Sequence, residues 1–194
     1  MEKDLFLSYD DSSDRKNIYS ALIETITGSL PIKLTMDLIE NHTKTTLYNK
    51  LHSFYLNSKN MPTAEHEKVL HKLNSSKNFR RSAAELILEL IDKTITDASI
   101  DLLCNLYKNT AKDNINEDDF IRLAITLQKC TYTDLLTLKK YQNKGDINFS
   151  GIYEGSATDS LFAAGLIYQS VTGTSILYKV NNLGDDLLKY GIIS

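Results

Sequence analysis

Two stretches in the middle of the chain are apolar on more than one side of a helix, and this feature constrains the fold most. They span residues 82–95 and 117–130. Helices of this kind are usually surrounded by other helices, because each apolar side must be covered. The pattern predicts a helical bundle with these two members at its centre and an amphipathic helix over 97–109 between them. The residues expected in the core are Ile87, Leu88, Ile91, Leu123, Ala124 and Leu127.

The flanking sequence predicts further members of the bundle. Apolar residues recur at helical spacing over residues 18–26, 32–56 and 64–74. No internal repeat, low-complexity tract or long linker interrupts this pattern. The N-terminal two thirds of the chain is therefore expected to be helical.

The sequence changes character after Cys130. Thr131 and Asp134 suit a capping box that opens a helix, and a short strand is expected over 146–149. Two runs rich in residues that favour β structure, "LIYQS" and "SILYKV", then flank Thr172-Gly173. They predict a β-hairpin, and a closing helix begins near Leu183.

The C-terminal third resembles the winged-helix superfamily. The resemblance rests on a helix that runs into "GLI" at residues 165–167, the hairpin, and "LYKVNNLGDDLLKYG". It implies a recognition helix, a wing and a last helix. The chain departs from that pattern between residues 141 and 156, where there is room for little more than a loop. We predict a mainly α protein, with a helical bundle over 1–130 and a small α+β winged-helix-like module over 131–194.

The module lacks the side chains with which a winged helix reads DNA. Base edges are contacted mainly by Arg, Lys, Asn and Gln, and the candidate recognition helix over 156–166 contains none of them. The hairpin contributes one cation, Lys179. We expect the module to keep the winged-helix shape without reading DNA.

Composition indicates an ordinary globular protein with no obvious targeting segment. Hydrophobic residues make up 42% of the chain and charged residues 24%. No run approaches the roughly 20 apolar residues that span a bilayer, and the acidic N-terminus does not resemble a secretory signal. The cytoplasm is therefore the expected compartment, and Cys104 and Cys130, which are expected to be buried free thiols, agree with it. The abundance of Lys and Asn suggests a bacterial, phage or mobile-element origin.

The net charge is −3, but the basic residues are unevenly distributed. Residues 44–81 carry eight basic residues against Glu65 and Glu67, a balance of +6. This segment predicts either solvated helix faces or contact with an anionic partner, which could be nucleic acid or an acidic protein. The candidate contact residues are Lys68, Lys72, Lys77, Arg80 and Arg81.

Two apparent metal motifs fail on spacing or ligand type. His66 and His71 are five residues apart, whereas a zinc-binding helix needs histidines four apart on one face. A calcium-loop alignment ending in "DNINEDDF" would place lysines at ligand positions, which calcium does not accept. Asn116 is better interpreted as a helix cap. Neither a metal, a cofactor nor a catalytic residue is predicted.

These features favour a non-catalytic regulatory or adaptor protein that acts through protein–protein contacts. A protein partner is expected, and a homo-oligomer is one form of it. The alternative is a DNA-binding regulator that uses the basic 44–81 segment. Neither alternative involves a membrane.

Overall fold

The computed structural model describes residues 45–75, 83–94, 96–145, 152–172 and 175–191. Within these ranges the chain is mainly helical and ends in a small antiparallel sheet. The elements are α1 (Thr45–Ser58), α2 (Thr63–Ser75), α3 (Ala83–Lys93), α4 (Asp97–Ala111), α5 (Glu117–Leu127), α6 (Tyr132–Tyr141), α7 (Ile152–Ala163), β1 (Ile167–Thr172), β2 (Ser175–Val180) and α8 (Asn182–Tyr190). The helix predicted over 18–26, the first part of 32–56 and the strand over 146–149 lie outside the described residues.

The fold class predicted from the sequence is confirmed. Helices α1 to α5 pack together as a bundle, and α6, α7, the β1–β2 hairpin and α8 follow. One hydrophobic core runs through both parts, from Leu51 on α1 to Leu188 on α8. The division of the chain at residue 130 stays a prediction, since no break in this core accompanies it.

The six residues predicted for the core are all buried. Ile87, Leu88 and Ile91 lie on α3, and Leu123, Ala124 and Leu127 lie on α5. Their burial confirms that a helix with apolar residues on several sides is covered by its neighbours.

The prediction of two central helices is incomplete, because α4 also lies inside the bundle. It packs against α1, α2, α5 and α8. Burial on α4 extends to polar side chains such as Ser99 and Thr110. The Thr110 hydroxyl donates to the Leu106 carbonyl at 2.9 Å, and the Ser99 hydroxyl lies 2.9 Å from that of Thr96. These local hydrogen bonds remove most of the cost of burial, so polar residues do not mark an exposed side here.

Both predicted helix caps of the second half of the chain are present. The Asn116 side chain accepts a hydrogen bond from the Asp119 backbone N–H at the start of α5. Thr131 and Asp134 form the reciprocal bonds of a capping box at the start of α6. Such bonds satisfy backbone donors that a helix leaves unpaired at its N-terminus.

No helix among the described residues has both the length and the apolarity needed to cross a membrane.

We expect Leu88→Ala and Leu127→Ala each to lower the free energy of unfolding by about 2–5 kcal/mol, because each removes buried atoms and leaves a cavity. Leu136→Ala on the exposed side of α6 is the matched control, and it should cost less than about 1 kcal/mol. Urea denaturation followed by circular dichroism measures all three. Equal, small losses at the buried and exposed positions would contradict the assignment of this core.

Candidate functional site

The path from α7 into the hairpin is fixed by a glycine with left-handed backbone geometry. Gly165 has φ +76°, which residues with a Cβ adopt at a cost. The Leu166 N–H donates to the Leu161 carbonyl and the Gly165 N–H to the Phe162 carbonyl, both at 2.9 Å. This arrangement ends α7 with a Schellman-type cap. The chain therefore turns sharply and enters β1 at Ile167.

Asn181 ties the two ends of the hairpin together. Its backbone N–H donates to the Leu166 carbonyl at 3.1 Å, and its side-chain amide donates to the Gly165 carbonyl at 2.8 Å. Its side-chain oxygen accepts from the Gly184 N–H at 3.0 Å and so caps α8. One residue thus holds the entry to β1, the exit from β2 and the start of α8.

Helix α8 approaches the base of the hairpin closely at Gly184. A Cβ at this position would lie 2.5 Å from the Leu166 carbonyl oxygen and 2.8 Å from Val180 Cγ1. Contacts this short are not tolerated, so the closeness of helix and hairpin requires glycine here.

The two strands pair antiparallel, and one side of the hairpin changes from buried to exposed along its length. Ile167 pairs with Val180 at the base, and both are buried. Val171 pairs with Ile176 near the tip, and their side chains are 68% and 48% exposed. Directly paired residues project from the same side of a sheet. The base therefore packs into the core while the tip presents two branched apolar side chains to solvent.

An aromatic pair extends this exposed apolar area onto α7. The rings of Phe162 and Tyr178 meet edge to face with centroids 6.4 Å apart. Tyr178 lies on the same side of β2 as Ile176, and Phe162 is exposed. We call Phe162, Val171, Ile176 and Tyr178 the hairpin face. None of its four residues is charged.

Helix α8 follows the hairpin directly along the chain. Leu187 and Leu188 are buried, but α8 packs mainly against α4, α5 and α6. Helix α8 therefore covers only the base of the hairpin. The sequence did not predict Phe162 as a contact residue, because α7 was interpreted only as a possible DNA-recognition helix. An aromatic residue one turn after Asp159, on the polar side of the helix, was the signal for such a contact.

Two of the five candidate contacts for an anionic partner can be placed. Lys68 and Lys72 on α2 both form ion pairs with Asp113, and Lys72 also donates to the Thr110 carbonyl at 3.0 Å. They attach α2 to the turn between α4 and α5. Lys77, Arg80 and Arg81 lie outside the described residues, so a five-residue basic surface stays a prediction.

Asp113 is the residue on which this attachment depends. Hydrogen bonds from Lys68 and then from Lys72 lower the pKa of its carboxyl group. Its φ of +60° lies in the left-handed region, which aspartate tolerates better than most residues. Because one carboxylate accepts from both ammonium groups, much of the positive charge of this pair is balanced within the chain.

His66 is a buried core residue whose ring contacts Tyr107. It is 3% exposed, and its Nδ1 lies 3.2 Å from the Tyr107 hydroxyl. Burial lowers the pKa of His66 from 6.5, opposed by a hydrogen bond with the Ser58 backbone and by the charge of Glu65. His71 is exposed on another side of α2. Among the described residues, no group of three or more His, Cys, Asp or Glu side chains is arranged to hold a metal ion.

The two cysteines are buried and unpaired. Burial raises the pKa of the Cys104 thiol to about 12 and that of the Cys130 thiol also to about 12. The thiolate is the reactive form of cysteine. Neither thiol is thus suited to act as a nucleophile at neutral pH.

No protein-family model matches the chain, and no curated protein and no solved structure matches it either. The resemblance to winged-helix proteins therefore stays a prediction from the sequence.

We expect the free energy of unfolding to fall as the pH is lowered from about 7 to 5.5. The pKa of His66 is lower in the folded chain than its unfolded value of 6.5, so the unfolded state binds more protons below that pH. The stability that neutral His66 contributes is fully present above the unfolded pKa and is lost as the pH falls below it. For one proton, the free energy of unfolding can change by at most about 1.4 kcal/mol per pH unit.

Urea denaturation of wild type, His66→Gln and His71→Gln at pH 7.5, 6.5 and 5.5 tests this. His71→Gln should keep the wild-type pH dependence, and His66→Gln should flatten it whatever its own stability. An unchanged slope in His66→Gln would show that other groups cause the effect.

Proposed function

We propose that the protein is a non-catalytic regulator or adaptor that acts through protein–protein contacts made by the hairpin face. The observation that carries this proposal is an exposed area of branched and aromatic side chains, without charge, on a hairpin whose base is fixed in the core. Clustered apolar residues exposed on a folded protein mark interaction sites more often than isolated ones do.

The composition of the hairpin face suits a partner that removes it from water. Burying an exposed Val, Ile or Phe side chain contributes roughly 1.5–3 kcal/mol. Aromatic residues contribute strongly to protein interfaces, because they cover a large area with few rotatable bonds. The fixed base of the hairpin also favours binding, because a rigid hairpin loses little conformational entropy when a partner binds.

The same surface is poorly suited to nucleic acid. Phosphate contacts need Lys or Arg, and neither occurs on α7 or among the four residues of the hairpin face. The exposed polar residues of α7 include Ser156 and Asp159, and the latter would repel phosphate. We therefore propose that the C-terminal module has a winged-helix-like shape and contacts protein.

Two further observations support this proposal. Burial of both thiols disfavours cysteine catalysis, and their unpaired state suits the reducing cytoplasm. The ion pairs of Lys68 and Lys72 with Asp113 leave less charge for an anionic partner at α2.

We expect the double variant Val171→Ser/Ile176→Ser to fold normally and to lose its protein partner. Both side chains are exposed, so the free energy of unfolding should change by less than about 1 kcal/mol. The measurement is capture from an extract of the native cells by the full chain, with quantitative mass spectrometry. Ile125→Ser is the matched control, because Ile125 is 41% exposed and lies on α5, outside the hairpin face.

Partners that wild type and Ile125→Ser both retain, and that the double variant loses, would support the proposal. Self-association of the wild type that the double variant abolishes would identify a second copy of the chain as the partner. The proposal would be contradicted if all three proteins captured the same partners equally. It would also be contradicted if the protein bound duplex DNA in a salt-sensitive way and the hairpin substitutions did not alter that binding.

A further inference from the structure

The outer side of α6 carries two exposed apolar residues in a row. Tyr132 is 42% exposed and Leu136 is 48% exposed. They are four residues apart, which places them on the same side of a helix, one turn from each other. Leu135 and Leu138 are buried on the opposite side and attach the helix to the core. Packing of α6 against the core therefore does not require apolar side chains at Tyr132 and Leu136.

The same side of α6 becomes cationic toward its C-terminus. Lys139 and Lys140 are exposed and lie three and four residues after Leu136, so they flank it on the next turn. Lys144 follows in the exposed segment after the helix. The ammonium groups of Lys140 and Lys144 lie 5.0 and 5.6 Å from the centre of the Tyr141 ring. The aromatic ring thus brings two of the three positive charges together.

Two acids close to this face, Asp134 and Asp185, have partners of their own. Asp134 is buried, and its carboxylate accepts from the Thr131 backbone N–H in the capping box. Asp185 on α8 lies 3.4 Å from the Gln142 side-chain amide, beyond the end of α6. Lysines at a helix C-terminus also complement the helix dipole. That effect accounts for Lys139 and Lys140, but not for the two apolar residues beside them.

We propose that this α6 face, formed by Tyr132, Leu136, Lys139, Lys140 and Lys144, binds an acidic segment of a protein partner whose carboxylates adjoin apolar side chains. The carboxylates contact the three lysines, and the apolar side chains cover Leu136 and Tyr132. Leu136 and Lys140 are separated by about 6 Å along the axis, at 1.5 Å per residue. The partner segment must present its two kinds of side chain at a similar spacing.

The apolar half of the α6 face favours protein over nucleic acid as the partner. A phosphate backbone would contact the lysines but would leave Leu136 in water. The net charge of the chain is −3. A long polyanion that extends past this small basic cluster would therefore meet a surface that repels it. This inference rests on the proposed function, because it names the chemistry of a protein partner, but it uses a surface other than the hairpin face.

The test is a fluorescence anisotropy titration of the full chain with labelled probes at about 50 mM salt. The first probe is a 12-residue peptide in which Leu and Phe adjoin a run of Glu. The second is an oligoglutamate of the same charge, and the third is a random DNA duplex. We expect the first probe to bind at least about fivefold more tightly than the oligoglutamate, and duplex DNA to bind more weakly than the peptide.

Three variants locate the site. Lys139→Glu/Lys140→Glu should weaken binding of the first probe at least about tenfold, and Leu136→Ser about threefold. Lys59→Glu/Lys112→Glu reverses two exposed lysines elsewhere and should change binding less than about twofold. If the charge reversal unfolds α6 by opposing its dipole, Lys139→Gln/Lys140→Gln replaces it, with about a fivefold loss expected.

The hairpin variant Val171→Ser/Ile176→Ser separates this inference from the proposed function. It should bind the first probe like wild type, even if it loses its partner from the extract. Absence of peptide binding by wild type would overturn the inference without affecting the hairpin face. Equal binding of all polyanions with no effect of Leu136→Ser would also overturn it, and would indicate nucleic acid or a general anion site.

Discussion

The buried ring of Tyr107 is the contact on which the rest of the bundle depends. Among the described residues it is the largest fully buried side chain, and it lies on α4. Its ring meets those of Phe54 on α1, His66 on α2 and Phe120 on α5, with centroid distances of 5.5, 5.7 and 6.4 Å. Aromatic pairs in such edge or tilted geometries stabilise beyond their buried area. The hydroxyl also needs a partner in this apolar site, and His66 provides one, so the burial of each residue depends on the other.

Two amide side chains on α4 join the bundle core to the C-terminal part of the chain. Asn105 and Asn109 donate to the Gly191 and Tyr190 carbonyls at 3.0 and 2.9 Å. These bonds satisfy carbonyls at the end of α8 that have no partner within the helix. At its other end α8 meets the hairpin base through Gly184. The position of the hairpin face is thereby linked to the bundle core through one short helix.

Local signals in the sequence were sufficient for much of this fold, and contacts between distant residues explain what it missed. The caps at Asn116 and Thr131 need only residues three positions away, so their pattern could be recognised directly. Full burial of His66 depends on Tyr107, which is 41 residues away. Similarly, the sequence predicted α4 as an amphipathic helix, but it could not show that Asn105 and Asn109 bond to the end of α8. The sequence did not predict the α6 face, because only the folded chain shows that Leu136 is exposed beside Lys139 and Lys140.

The hairpin face and the α6 face differ in the force with which each would hold a partner. Apolar burial is nearly independent of moderate salt, whereas attraction between exposed charges is screened over about 10 Å at 0.1 M salt. A contact made by Val171 and Ile176 should therefore persist as salt rises, while one made by Lys139 and Lys140 should weaken and be most important for the rate of encounter. A partner that uses both surfaces would be attracted through α6 and retained through the hairpin. Because α6 also packs against α7 and β2, the two surfaces are held on one framework, and binding at one would not require the other to move.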